Sequence, residues 1–225
     1  PAWQRTVLRA GKHFAHRPVH PLPPPQFPRV AYESVVRRRR SRRDLGGDQV
    51  PLAVLATLLA AGYGVTRRAG DPARPDLRAA PSAGALYPLD VYVAAQRVAS
   101  LPPGLYHYAP ARHLLAEVRR ADLRPALACG LVEPAFADVP AMVILAACFW
   151  RSRFKYGLRG YRFVLLEAGH LAQNVQLAAT ALGLAVLPIG GFFDCRIDEL
   201  LAIDGLYEST VYLLALGSRS GGDHA

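Results

Sequence analysis

Residues Arg151 to Arg162, RSRFKYGLRGYR, hold four arginines, one lysine, three aromatics and no acid, and run directly into a long apolar segment. Tyr156 sits in this cluster beside Lys155, with Arg153 and Arg159 close in sequence. A free tyrosine, with a pKa of about 10, is a poor base at neutral pH. Cations within a few ångströms favour the phenolate and lower such a pKa by roughly one to three pH units. The competing reading is that Tyr156 and Tyr161 pack and the arginines form a solvated rim. On these residues alone, packing carries the larger weight. Consecutive residues on a regular strand point to opposite faces, so Lys155 and Tyr156 share a site only in an irregular segment, which Gly157 and Gly160 make easy.

Three further segments have types and spacing suited to chemistry. Arg37 to Arg43, RRRRSRR, puts six arginines in seven positions. Its spacing equally supports a solvated face, a nucleic-acid or localisation patch, and a phosphate monoester site. In the last of these, Arg39 and Arg43 flank the Ser41 hydroxyl with planar guanidinium forks. No aromatic is interleaved with the run, as base stacking requires, and no zinc-finger, RNP or helix-turn-helix signature is present. In PSAGALYP, Pro81 to Pro88, Ser82 suits an N-cap, and Ala83-Gly84-Ala85 leaves backbone N–H groups open to a flat or anionic ligand. In LPIGGF, Leu187 to Phe192, a strand runs into Gly190-Gly191, where the backbone approaches a ligand or merely turns. Alone, each reads as an ordinary loop. No GxGxxG follows a strand and no GxxxxGK[ST] loop occurs, which argues against Rossmann and P-loop nucleotide sites.

The elements that must position these residues follow from periodicity. Residues 31–43 read as a helix ending in the basic run, and Val50 to Gly64 has Leu52, Leu55, Leu58 and Leu59 at helical spacing with glycine to stop it. Residues 66–80 read as a polar loop, DVYVAAQ as a strand, GLYHYAPARHLLAEV as a hairpin turning at Pro110, and AMVILAACFW as a buried strand. Tyr161 to Leu182 reads as a long helix closed by Gly183, with LAVLPIGG and STVYLLALG as the last strands. These predict an α+β domain. The long helix is apolar on nearly every face, which predicts burial on all sides. In a domain of this size that points to a second copy, hence a homodimer with the helix at or near its interface. Glu167 in this helix is expected to pair with an arginine, and His170 is assigned no role.

The chain's 225 residues suit one domain, with residues 1–29 as a proline-rich extension or arm, 30–220 as the domain and 221–225 as a tail. Six prolines between Pro18 and Pro28 favour extended geometry there. The formal charge is +10, from 27 basic and 17 acidic residues, and Lys12 and Lys155 are the only lysines. Such a balance permits nucleic acid, a phosphorylated cofactor or an acidic peptide as partner. Cys129, Cys148 and Cys195 lack C-x-x-C spacing, so neither a disulfide framework nor a zinc site is expected, and a reducing cytoplasm is the default. The residues given contain no signal pattern and no membrane-length apolar run.

In content and order, RRSRR, PSAGALYP, the KYG-RGYR segment with its apolar helix, LPIGGF and ALGSR resemble the nitroreductase-like flavoproteins. Within these, the resemblance is to the SagB-type dehydrogenases, the azoline oxidases of thiazole/oxazole-modified peptide pathways, and covers roughly Tyr32 to Arg219. It implies a nitroreductase-like fold with a mixed, mostly antiparallel sheet flanked by helices, a long buried central helix, and an intertwined homodimer binding FMN at its interface. It further implies that Arg39, Ser41 and Arg43 hold the FMN phosphate and ribose, with Arg219 as a further phosphate contact. Pro81, Ser82, Ala83, Gly84 and Leu86 would line the flavin, from the opposite subunit, and Pro188, Gly190 and Gly191 would pass over its ring. Lys155 and Tyr156 match the catalytic pair of the azoline oxidases, and no metal is implied.

Aromatising a thiazoline or oxazoline removes a proton from the ring carbon next to the carbonyl and a hydride, which goes to the flavin. Tyr156, beside its cations, is the candidate base. The implied partners are an azoline-containing precursor peptide and the cyclodehydratase that installs the rings, with no nucleic acid and no membrane. The rival readings are a generic NAD(P)H-dependent nitro- or quinone-reductase of the same fold and a nucleic-acid binder driven by Arg37 to Arg43.

Overall fold

A computed structural model describes residues 12, 14, 16–47, 49–71 and 74–219. In chain order its elements are β1 (Val19–Pro21), α1 (Tyr32–Arg38), β2 (Leu45–Gly46), α2 (Leu52–Tyr63), β3 (Val65–Arg67), β4 (Leu77–Arg78), β5 (Leu89–Ala95), β6 (Gly104–Ala109), β7 (Leu114–Arg120) and α3 (Arg124–Gly130). There follow β8 (Ala141–Cys148), α4 (Trp150–Tyr156), α5 (Arg159–Ala181), β9 (Ala185–Ile189), α6 (Asp194–Leu201) and β10 (Glu208–Arg219). The main sheet runs β1-β7-β6-β5-β8-β10, with β2 and β9 both paired to β10. Every strand pair in it is antiparallel. This is the expected α+β arrangement, with a mostly antiparallel sheet flanked by helices.

Period-two alternation gives the sheet two apolar faces. Val91, Val93, Val143 and Leu145 join the core under α2 and α5. Their neighbours Tyr92, Ala94, Met142 and Ile144 join a second core under α3 and α6. Each fully buried aliphatic side chain stabilises the fold by roughly 1.5–3 kcal/mol. The central strands β5 and β8 are therefore apolar along nearly their whole length. The one acid in β5, Asp90, is buried.

The structure corrects several expectations. Residues 66–80 contain the short hairpin of β3 and β4. Helices α3, α4 and α6 were not anticipated. Part of the stretch set apart as an arm is an edge strand of the domain: Val19–Pro21 pairs with β7, where a proline without an N–H is tolerated. The tail, 221–225, lies outside the described residues. Helix α5 is also not enclosed by its own chain. It buries one stripe, Val164, Ala168, Leu171, Ala172, Val175 and Ala179, and leaves Tyr161 55%, Leu165 40% and Leu166 53% exposed. Among the described residues no helix is long and apolar enough to cross a membrane.

Candidate active site

Lys155 and Tyr156 occupy the last turn of α4, a regular helix rather than the irregular segment expected. Successive residues on a helix are separated by only about 100°, so the two side-chain ends reach one place. That place is Gly84. A Cβ built there would stand 2.7 Å from Tyr156 Oη and 2.8 Å from Lys155 Nζ. Gly84 has φ +65, a left-handed conformation that other residues adopt at a cost of roughly 1–2 kcal/mol. Gly157, with φ +57, ends α4 directly after Tyr156. The Lys155 ammonium lies 5.3 Å from the Tyr156 ring centroid, within cation–π range. The Tyr156 ring also meets Phe163 of α5 edge-on, with ring centroids 5.0 Å apart. The sequence therefore places a phenol and an ammonium together over a loop that has no side chain at the point of contact.

The loop is held in a demanding shape. Ala83–Ala85 form a single 3-10 turn, and Ala85 and Tyr87 also have left-handed φ values of 53 and 48. Such conformations persist only where the surroundings impose them. Ser82 does not cap a helix, contrary to expectation; its Oγ accepts the Tyr87 N–H at 2.9 Å. The Arg78 N–H donates to Tyr87 Oη at 2.9 Å. The Arg78 guanidinium lies 4.4 Å from the Tyr63 ring and 4.5 Å from the Tyr87 ring.

Beneath the loop is Glu167 of α5, 2% exposed. Tyr63 Oη donates to its Oε1 at 2.6 Å, and the Ser82 hydroxyl donates to the same carboxyl. Burial pushes Glu167 up to about 7, against the opposing pull of these two hydrogen bonds and of the Arg78 charge. The expected arginine thus acts by its field alone, while a tyrosine and a serine supply the hydrogen bonds.

The basic segment forms a second group. Arg39 Nη1 donates to Gln176 Oε1 of α5 at 3.2 Å, and the Arg42 N–H donates to the Val186 carbonyl of β9 at 3.0 Å. Ser41 and Arg43 are exposed beside this strand, which carries half-buried Pro188 and leads to exposed Gly190 and Gly191. The side chain of Arg219 lies outside the described residues, though its backbone pairs with Leu45.

Guanidinium and hydroxyl donors beside an open backbone suit a phosphorylated, flat cofactor. A Cβ at Gly190 would meet nothing within 4 Å. One chain keeps the two groups apart along α5: Phe163 marks one and Gln176 the other, roughly 20 Å of helix at 1.5 Å per residue.

Sequence reasoning missed Tyr63, Arg78, Asp90 and Arg151. An acid inside the apolar strand LDVYV, and a lone glutamate in an apolar helix, were the signals that could have found their partners.

Residues 36–218 match the nitroreductase family. A protein of Methanocaldococcus jannaschii, provisionally named nitroreductase MJ1384, is 38% identical over 196 residues, covering 87% of this chain and 94% of its own. The microcin B17-processing protein McbC of Escherichia coli is 32% identical over 135 residues, 55% of this chain and 48% of McbC, so the match spans about half of that relative.

Among solved structures, a protein of Ralstonia eutropha provisionally named a nitroreductase superposes with TM-score 0.75 at 26% identity, covering 94% of this chain and 93% of that one. The E. coli microcin synthetase complex McbBCD, with truncated pro-MccB17 bound, gives 0.69 at 21%, covering 98% and 83%. An FMN complex from Desulfovibrio desulfuricans, also provisionally named a nitroreductase, gives 0.57 at 19%, covering 87% and 92%. At those identities the last two show the fold alone. The chain belongs to the nitroreductase family.

Proposed function

We propose that this chain is an FMN-dependent dehydrogenase that converts thiazolines or oxazolines to thiazoles or oxazoles in a ribosomally made peptide. The observation that carries this reading is the convergence of Lys155 Nζ and Tyr156 Oη on Gly84, in the loop assigned to the flavin. Tyr156 Oη takes the proton from the ring carbon beside the carbonyl, and Lys155 stabilises the negative charge on that oxygen. When bound, FMN supplies the two-electron acceptor for the hydride. Arg39, Ser41 and Arg43 would hold its phosphate and ribose, with Pro188, Gly190 and Gly191 beside its ring. Ser82 to Leu86, fixed from below by Glu167, would present backbone to the flavin from the opposite copy. The proton and hydride together account for the two hydrogens lost, and molecular oxygen is the expected final acceptor.

The protein in this reading is a cytoplasmic homodimer. The exposed apolar face of α5, with Leu165 40% and Leu166 53% exposed and Leu158 just before the helix 82% exposed, would be covered by a second copy. Each site would then combine the arginine group of one copy with the Lys155–Tyr156 group of the other, as their separation along α5 suggests. The partners are an azoline-bearing precursor peptide and a cyclodehydratase. The match to McbC and the likeness to the peptide-bound McbBCD complex support this assignment.

A second reading, a general nitro- or quinone-reductase, is favoured by the near full-length match to MJ1384. Aerobic incubation with a thiazoline-containing peptide separates the two. The first reading predicts a product lighter by two hydrogens without added NAD(P)H. An unchanged peptide mass, together with fast NAD(P)H oxidation by a quinone, contradicts it.

A further inference from the structure

Seven residues make an isolated helix unstable in water, and α4 has no side-chain N-cap. Trp150 is 61% exposed, and Arg153 and Lys155 are also exposed. Its position must therefore come from the two side chains it buries, Arg151 and Ser152, and from its junction with α5. Arg151 Nη2 lies 2.9 Å from Asp90 Oδ2, with side chains 8% and 7% exposed. The other carboxylate oxygen faces His107 Nε2 at 3.4 Å, and that side chain is 6% exposed. Burial alone would raise the Asp90 carboxyl, but the His107 hydrogen bond and the Arg151 charge overcome it and hold the group down to about 2.

Asp90 lies just beyond the Pro81–Pro88 loop on β5, and Arg151 is one helical turn before Lys155. The ion pair thus joins the strand leaving the loop to the helix bearing the pair, and the same two segments meet again where Lys155 and Tyr156 reach Gly84. A buried ion pair is a weak source of stability, since well-packed apolar residues often replace one without loss. What it imposes is direction, because a planar guanidinium meets a carboxylate in few orientations.

We infer that the buried Asp90–Arg151 pair, backed by His107, is the positioning element that sets Lys155 and Tyr156 against the Ser82–Leu86 loop. The inference deepens the dehydrogenase reading and rests on it for its kinetic consequence. In this role Arg151 and Asp90 are positioning residues that act through α4.

The test is the double variant Asp90→Asn, Arg151→Met, which leaves no unpaired buried charge, compared with Arg151→Lys, in holoprotein reconstituted with FMN. Flavin content and the visible spectrum are expected to match wild type. Single-turnover flavin reduction by a thiazoline peptide is expected to fall at least tenfold with peptide KM within twofold, and Arg151→Lys is expected to recover part of the rate. A 3-fluorotyrosine in place of Tyr156 gives a readout independent of turnover. Its 19F resonance is expected to move in the double variant, while a label in place of Tyr207 stays fixed. An unchanged rate and an unchanged resonance in folded, FMN-loaded protein overturn the inference. If wild type leaves the peptide untouched, the dehydrogenase reading fails while the resonance still decides positioning. If the double variant does not fold, the same two readouts on Arg151→Lys decide it: a wild-type rate and shift there overturn the inference.

Discussion

Replacing Glu167 with glutamine removes a buried titration whose size follows from its surroundings. The unfolded chain ionises this carboxyl near 4.5, whereas the folded chain holds the proton to about 7. A folded state that binds a proton more tightly than the unfolded one loses stability as pH rises. The loss is absent below pH 4.5, accumulates through the window up to about 7, and is complete above it. At about 1.36 kcal/mol per pH unit, that window corresponds to about 3 kcal/mol.

Glu167→Gln keeps the shape of the side chain and an acceptor for Tyr63, and has no such dependence. Urea unfolding of both proteins, at fixed protein and FMN concentrations, reads the effect directly. The stability of the variant relative to wild type is expected to rise by about 3 kcal/mol between pH 4.5 and 8. A difference that stays flat over that range refutes the reasoning, because it would mean the carboxyl beneath the Ser82–Leu86 loop titrates alike in both states.

Gly84→Ala places a methyl group where Lys155 Nζ and Tyr156 Oη now converge, at 2.8 and 2.7 Å, in a backbone with φ +65. Azole formation is expected to fall tenfold or more with FMN retained, measured by product mass and visible spectrum. Replacing Arg39 and Arg43 together with alanine is expected to give protein that folds but purifies colourless, checked by absorbance and released flavin. Leu165→Glu with Leu166→Glu is expected to raise the dimer dissociation constant at least about a hundredfold, since each buried leucine contributes roughly 1.5–3 kcal/mol. Sedimentation velocity reports that change.

Periodicity made α2, α5, the β6–β7 hairpin and the strands β5, β8, β9 and β10 readable, because their apolar residues recur at the spacing their backbones require. It failed for α4. This helix is too short to show a period, and the partner of its buried Arg151 is Asp90, 61 positions earlier in the chain. Tyr156 was legible as a chemical candidate, but the geometry that unites it with Lys155 was not, because the strand rule was applied to a helical turn. Glu167 stood out as a lone acid in an apolar helix. Its hydrogen-bond partner Tyr63 lies 104 residues away, and no local pattern encodes that pairing. The hydrophobicity of α5 predicts burial on all sides, whereas one chain covers only a single stripe of it.

Anaerobic mixing of the FMN-loaded protein with a thiazoline peptide, followed by stopped-flow absorbance, tests the central claim most directly. The account predicts that wild-type flavin bleaches in a single turnover as the azole forms. It further predicts that Tyr156→Phe binds flavin and peptide normally but bleaches at least a hundredfold more slowly. Equal bleaching rates in the two proteins, or bleaching only on addition of NAD(P)H, would contradict it.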